Sequence, residues 1–546
     1  MDLTGAVDMK IILVQPPGGF LRTEQVERTF SLPLGLLYIA GSLKASDEDV
    51  TVLDMRACNL EPEVIRKHVR SKDTILGIST WSFSFPSALQ VAREAKEENP
   101  GTHVVMGGIH ATFMYNDILR DCPDVDIVVR YEGELTMVEL VQAIEQGSSL
   151  GKVKGIAFRD EGGQVRVTDQ RPRIDRLDQL PMPAYDKVEL DRYSNDFSII
   201  TSRGCPFRCV FCSTSSFHGH IVRKHSVERV MSEVDYAIQH GFGHILFEDD
   251  VFTVDRDRTL SICESLALKK VEWHCNTRAD LLDPDLLQRM ASSGCKTLFL
   301  GVESGSQRML DNCGKKLNLE VTRNVIRLAR ENGIGVEASF ILGLPGENEH
   351  SILETTNYIR AIDVNILKVN ILIPYPGTDI WDHPEKYDIR ILTKDWNKYS
   401  HLLPVVETGN LSCRDLLWHR LDCLRQFHES HGSPYVNQLS LSDEYERRNK
   451  GGSLKANELR QRRPQPKALW AAKKGEVYLT DQTGIYAFHL NAIGSLIWRM
   501  CVASLPVRDI IDVLTGMFGN CHRAEINRDV LYFVTELKKL DLIDLA

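Results

Sequence analysis

The chain has 546 residues, 43% of them apolar and 26% charged, and a formal net charge of -10. That length suits several domains of roughly 100–200 residues each, in a globular, water-compatible composition. No overall basic field points to nucleic acid, no apolar run nears the ~20 residues of a membrane span, and the acidic start does not read as a signal peptide.

Over residues 1–150, short apolar strands alternate with helical patterns, the sequence form of a parallel α/β sheet of Rossmann-like type. The predicted strands are Lys10–Val14, Val50–Asp54, Thr74–Thr80, His103–Gly108 and Asp126–Arg130. Ligands of such sheets bind beyond the carboxyl ends of the strands. Here those ends carry Ser79-Thr80, Gly107–Thr112 and Glu132-Gly133-Glu134. Residues 151–195 read as a bridge with a hairpin about Asp160–Gly163. A second α/β series covers 196–432, with strands predicted at Ser198–Thr201, His244–Glu248, Glu272–Asn276, Thr297–Gly301, Gly335–Ile341 and Leu367–Leu372. Six strands fall short of the eight that close a barrel, so an open barrel is expected. Residues 433–466 are polar and basic and read as a linker. The segment 467–546 reads as an independent unit, a hairpin (Glu476–Thr480, Gly484–Leu490) followed by three helices.

Thirteen cysteines, an odd and scattered set, fit a reducing cytoplasm better than a disulfide framework. Three of them lie in Thr201-Ser202-Arg203-Gly204-Cys205-Pro206-Phe207-Arg208-Cys209-Val210-Phe211-Cys212, a C-x3-C-x2-C run. Three thiolates on one loop can hold three irons of a [4Fe-4S] cluster and leave the fourth open. A structural zinc would want a fourth protein ligand. Spacing and flanks resemble the radical S-adenosylmethionine (SAM) superfamily. The resemblance implies a partial (β/α)6 barrel, SAM bound to the open iron, and one-electron cleavage to a 5'-deoxyadenosyl radical.

The amino-terminal segments Gln15-Pro16-Pro17, Leu32–Ala40, Ile78-Ser79-Thr80 and Gly107–Thr112 resemble the cobalamin-binding domain of cobalamin-dependent radical SAM enzymes. Glycines that allow close backbone approach suit a broad, flat corrin. The implied cobalamin contacts are Pro17, Leu34, Gly35, Asp54, Arg56, Ser79, Thr80, Gly107, Gly108, Ile109, His110, Thr112 and Glu132. Where many cobalamin proteins have Asp-x-His-x-x-Gly, this chain has Asp54-Met55-Arg56-Ala57-Cys58-Asn59. A permanently protonated arginine does not ligate cobalt, so the lower face is expected to lack a protein ligand.

In the second series, Glu248, Asp249 and Asp250 follow a strand and suit either the ammonium and ribose of SAM or a helix amino-terminal cap. Gly301–Ser306 resembles the family's ribose-contacting segment, with Glu303 and Ser304 as the expected contacts. Phe340–Glu347 resembles the segment packed on adenine, and Phe211 is expected to flank the same ring. Tyr375, after the sixth strand, is a candidate to orient substrate or donate a proton, or a turn-packing tyrosine.

The segment Tyr486–Trp498 resembles the winged-helix peptide recognition element (PqqD-like) of enzymes that modify ribosomally made peptides. A leader peptide can add as a strand to such a sheet edge. The combined resemblance implies a methyltransferase acting on an unactivated carbon of a precursor peptide, fed by an external low-potential electron donor. Non-methylating peptide modification and methylation of a small natural-product intermediate are the alternatives.

Overall fold

The computed structural model describes residues 9–18, 30–70, 73–401, 404–431, 461–466, 469–473, 476–480, 487–490, 492–517, 523–539 and 542–545. Most of the expected basic linker, and the turn of the carboxy-terminal hairpin, lie outside the described residues.

The first sheet contains β1 (Lys10–Gln15), β2 (Val50–Asp54), β3 (Thr74–Ser79), β4 (His103–Gly107), β5 (Ile127–Val129), β6 (Ile156–Arg159) and β7 (Val165–Val167). Its strand order is β2-β1-β3-β4-β5-β6-β7. The first five strands are parallel; β6 pairs antiparallel with β5, Ile156 opposite Val129. The hairpin expected in the bridge is therefore part of this sheet. Ile11 to Gln15 are buried without alternation, because helices cover both faces of a parallel sheet. Two cores result, one under the helix Leu34–Lys44 and one under Phe85–Glu98 and Ile109–Asp121.

The second sheet holds β8 (Asp196–Ile199), then, beyond a two-residue ribbon of β9 (Ser202–Arg203) and β10 (Arg223–Lys224), β11 (His244–Phe247), β12 (Glu272–Thr277), β13 (Cys295–Glu303), β14 (Gly335–Leu342) and β15 (Ile366–Ile371). The ribbon is a separate antiparallel pair, and the other six strands run parallel in chain order. Burial alternates along β12 and β14, one face against the outer helices and the other lining the lumen of an open barrel. Helices such as Leu319–Glu331 close each crossover; Asn318 caps its first turn, and Thr322, Val325, Ile326 and Ala329 make its buried stripe.

The two sheets are locked together by buried polar groups. Glu233, on the helix Val227–Gln239, accepts hydrogen bonds from Tyr185 Oη at 2.7 Å, Arg229 Nε at 3.0 Å and Tyr38 Oη at 3.4 Å. The loop after β15 packs on the helix Ile109–Asp121, where a Cβ on Gly377 would lie 2.4 Å from the Phe113 ring.

The carboxy-terminal unit has a three-stranded antiparallel sheet (Leu469–Lys473, Glu476–Thr480, Ala487–Leu490) and helices Ala492–Val502, Val507–Met517 and Arg523–Lys539. Val477, Leu490, Trp498, Ile510 and Phe533 form its own core. His489 has a side chain outside the described set, while Trp498 is fully buried, as expected of a core residue. No described helix is long and apolar enough to cross a membrane. Trp498→Ala should cost about 3–5 kcal/mol within this unit. Hydrogen exchange would then rise across 492–517 and stay unchanged in β11–β14.

Candidate functional site

The cysteine loop follows β8 and is held from beneath by two carboxylates. Asp249 accepts from Thr201 N, Thr201 Oγ1 and Ser202 Oγ, each at 2.6 Å, and is buried. Asp250 accepts from Gly204 N and Thr214 Oγ1, each at 3.3 Å. Gly204 has φ of 105°, and a Cβ there would lie 2.5 Å from Ile221 O, so only glycine allows the chain to turn into Cys205. Cys205 N then bonds Gly219 O at 3.2 Å, Cys212 N bonds Cys209 O at 3.1 Å, and Val210 N bonds Cys313 O at 3.0 Å.

Burial pushes Cys209 up to about 11; Lys315 and Arg278 pull against it, and Cys212 adds to the rise. Burial also raises Cys205, again with Cys212 contributing. Three half-buried thiols on one loop form a donor set that fits three irons of an iron–sulfur cluster.

A cavity of about 600 Å³ lies between the carboxyl ends of the two sheets. Gln15, Pro16, Leu34, Gly35, Arg56, Ser79, Gly107, Gly108 and Ile109 line it from the first sheet. Ser202, Arg203, Phe217, His218, Glu248 and Asp250 line it from the second. Gly108 has φ of 97°, and a Cβ there would sit 2.8 Å from Thr80 O, while a Cβ on Gly35 would meet nothing within 4 Å. A wide wall with a bare backbone edge fits a flat corrin. Arg56 donates to Ser31 O at 2.9 Å and lies 4.7 Å over the Phe30 ring, with Nε buried and without a hydrogen-bond partner.

Several expected contacts stand behind this wall, not on it. Pro17 is buried next to the lining residue Pro16. The Asp54 carboxylate accepts from Arg56 N and Ala57 N, both at 3.0 Å, and from Tyr193 Oη at 3.2 Å. Thr80 Oγ1 donates to Gly107 O at 2.7 Å, and Thr112 Oγ1 accepts from Tyr131 N at 2.8 Å. His110 packs between Phe85 and Trp396, with Nδ1 2.9 Å from Ser82 Oγ, and burial lowers its pKa to about 3. These residues shape the loops that face the cavity. Glu132 does line the cavity, but its carboxylate is taken by Arg203, Arg223 and Ile174 N. Burial works to raise its pKa, and those partners outweigh it and hold it low.

The barrel contacts divide in the same way. Glu248 accepts from Ser198 Oγ at 3.0 Å and, with Asp250, faces the cavity. Asp249 is spent on the cysteine loop, a correction to its expected SAM contact. Glu303 sits at a register shift in β13 with φ of 70°, left-handed backbone for a non-glycine residue, and Lys315 Nζ reaches its Oε1 at 3.0 Å. Ser304 is also corrected: it is buried, with Oγ 3.1 Å from Thr355 Oγ1 and accepting from Ser306 N. Phe211 packs with Met309, Cys313 and Leu344, beside the turn 343–347. Tyr375 is the turn-packing tyrosine: its hydroxyl lies 3.4 Å from His401 Nε2 and its ring faces Tyr399 and His401, off the cavity wall.

Sequence reasoning missed Arg203, Arg278 and Lys315. Arg278 lies 3.7 Å over the Phe207 ring inside the cysteine loop and donates to Lys315 O at 2.9 Å. Long-range pairing of single basic residues leaves no spacing signal. Arg203 alone had a cue, since it precedes the Gly-Cys step of the motif.

A cysteine loop on an open six-stranded barrel, whose flanking residues Ser202, Arg203, Phe217 and His218 line a glycine-walled cavity under a Rossmann-like sheet, defines a radical SAM enzyme that uses a [4Fe-4S] cluster, SAM and cobalamin. Residues 199–359 match the radical SAM superfamily, 29–141 the B12 binding domain and 476–543 the coenzyme PQQ synthesis protein D family. A Pyrococcus horikoshii protein named as an uncharacterized methyltransferase is 36% identical over 75% of this chain and 90% of its own length. An anaerobic magnesium-protoporphyrin IX monomethyl ester cyclase of Rubrivivax gelatinosus is 31% identical over 72% of this chain and 73% of its own. Among solved structures, the radical SAM methyltransferase TsrM of Kitasatospora setae, with cobalamin and a [4Fe-4S] cluster bound, shares the fold with a TM-score of 0.62 at 14% identity. That alignment covers 97% of this chain and 99% of TsrM. OxsB, a cobalamin-dependent SAM radical enzyme, also gives 0.62 at 16% identity, over 98% of this chain and 80% of its own. The chain belongs to the cobalamin-dependent radical SAM family that includes the Pyrococcus horikoshii methyltransferase.

Glu347 tests the electrostatics of the turn beside Phe211. It is fully buried, accepts from Gly343 N, and has Oε1 without a partner. Burial raises its carboxyl from 4.5 to about 8, with the backbone N–H groups of Gly343 and Leu344 opposing. The folded state thus keeps a proton that the unfolded chain gives up above pH 4.5. This contribution is complete below that pH and falls by at most about 1.4 kcal/mol per pH unit as pH rises towards 8. Denaturant titrations should show that slope in the wild type relative to Glu347→Gln, and no further divergence above pH 8.

Proposed function

We propose that this enzyme replaces hydrogen by methyl at an unactivated carbon of a ribosomally synthesised precursor peptide. The observation that carries this reading is a cavity bounded by the cobalamin-type sheet on one side and the barrel that bears the cysteine loop on the other. The cluster with SAM supplies a hydrogen-abstracting radical, and cobalamin supplies the methyl group. The net reaction consumes one C–H carbon, two SAM and two electrons, and yields the C–CH3 product, methionine, 5'-deoxyadenosine and S-adenosylhomocysteine. An external low-potential donor provides the electrons.

In this reading Cys205, Cys209 and Cys212 hold the cluster. Glu248 and Asp250 face the polar end of SAM, Phe211 flanks its adenine, and Glu303, neutralised by Lys315, sits beside Cys209. Leu34, Gly35, Ser79, Gly107, Gly108 and Ile109 receive the corrin, and Arg56 lies on the same wall without serving as a cobalt ligand. The carboxy-terminal sheet has edge strands at Leu469–Lys473 and Ala487–Leu490, and an extended leader can join such an edge through backbone hydrogen bonds. The match to the coenzyme PQQ synthesis protein D family supports a peptide partner for it. A second reading, cyclisation without methyl transfer, is favoured by the Rubrivivax gelatinosus cyclase among the relatives.

Anaerobically reconstituted enzyme, a strong reductant and a candidate precursor peptide separate the two. Methylation predicts 5'-deoxyadenosine, S-adenosylhomocysteine and a peptide heavier by one methyl. Deoxyadenosine with a changed but unmethylated peptide would replace the first reading by the second. Alanine at Cys205, Cys209 and Cys212 together should abolish iron loading and SAM cleavage; retained cleavage would contradict the cluster assignment.

A further inference from the structure

We propose that Arg203 is a positioning residue that sets the cysteine loop against the cobalamin wall, so that the two cofactors address the same substrate carbon. The inference rests on the cofactor assignments above.

Arg203 is two residues before Cys205, on the ribbon strand β9, and is buried. Its register partner on β10 is Arg223, also buried. Both side chains cross to the first sheet. Arg203 reaches Glu134 Oε1 at 2.6 Å and Glu132 Oε1 at 3.3 Å, and Arg223 reaches Glu132 Oε1 at 2.8 Å. The Arg203 guanidinium also lies 5.0 Å over the Tyr38 ring. Two cations and two carboxylates make a buried set between the domains.

The two ends of this set are the two ends of the chemistry. Glu132 and Glu134 flank Gly133 on the cavity wall, just after Tyr131, whose φ is 64° and whose N–H is fixed by Thr112 Oγ1. On the other side, Arg203 passes directly into Gly204, whose N–H is held by Asp250. A shift of the wall is thereby transmitted to Cys205 through one rigid side chain with a planar, two-pronged head. Lysine would keep the charge and lose the simultaneous reach to both glutamates.

The test uses Arg203→Met/Glu134→Gln, which removes the pair together and strands no buried charge, with Arg203→Lys as the conservative comparison. Iron and cobalamin stoichiometry is measured first; a wild type lacking either would overturn the cofactor assignments and not this inference alone. Pulsed EPR then reads the dipolar coupling between cob(II)alamin and the reduced cluster, and product analysis reads 5'-deoxyadenosine formed per modified substrate. The double variant should load both cofactors, show a broadened distance distribution, and form up to roughly a hundredfold more deoxyadenosine per product, as expected for reacting groups misplaced by about 1 Å. Arg203→Lys should be intermediate in both. An unchanged distance and ratio in the double variant would overturn the proposal. Loss of either cofactor in both variants would also overturn it, assigning the pair to folding alone.

Discussion

Three thiols and a ring of acidic groups crowd the carboxyl end of the barrel, and the cost of burying them shapes what surrounds them. Each anion placed there needs a fixed cation or several hydrogen bonds. Asp249 takes three hydrogen bonds from the chain entering the cysteine loop. Glu303 takes Lys315, Glu132 and Glu134 take Arg203 and Arg223, and Cys209 feels both Lys315 and Arg278. The loop is thus stiffened before any cofactor arrives, by groups whose own burial is tolerable only in this arrangement.

The same constraint joins the domains. A parallel sheet offers its ligand site at its carboxyl edge, and the chain holds two such sheets edge to edge over one cavity. Tyr38 and Tyr185 on the first-sheet side meet Glu233 on the barrel side, and Gly377 closes on Phe113. Little room is left for one sheet to rock without breaking a buried hydrogen bond. For a reaction that must bring two cofactors to one carbon, that rigidity is an advantage.

Much of this was legible in the sequence. Unbroken apolar runs such as Ile11–Val14 and alternating ones such as Gly335–Leu342 identify strands covered on two faces and strands lining a lumen. The Cys205–Cys212 spacing marks the cluster loop, and glycine pairs such as Gly107-Gly108 mark a bare wall. What stayed hidden depends on partners far along the chain. Asp249 and Asp250 are adjacent, yet one faces inwards to Thr201 and the other outwards to the cavity, because strand-end residues alternate. Thr80, Thr112 and His110 lie in the right loops, but their side chains support those loops from behind. Tyr375 has the chemistry of a proton donor, but it is turned to His401 by the packing of its loop. The hairpin at 156–167 read as a connector because nothing in its composition reveals the exposed edge of β5 waiting for it.

The central claim is that one cavity brings the two cofactors face to face, the cobalt against the first sheet and the iron on the cysteine loop. Anomalous diffraction at the cobalt and iron edges from crystals of the reconstituted enzyme tests it most directly. The account predicts a cobalt peak within the cavity walled by Gly35, Gly107 and Gly108, and an iron peak at Cys205, Cys209 and Cys212, with no protein segment between them. A cobalt peak outside that cavity, or iron held by other residues, would contradict it.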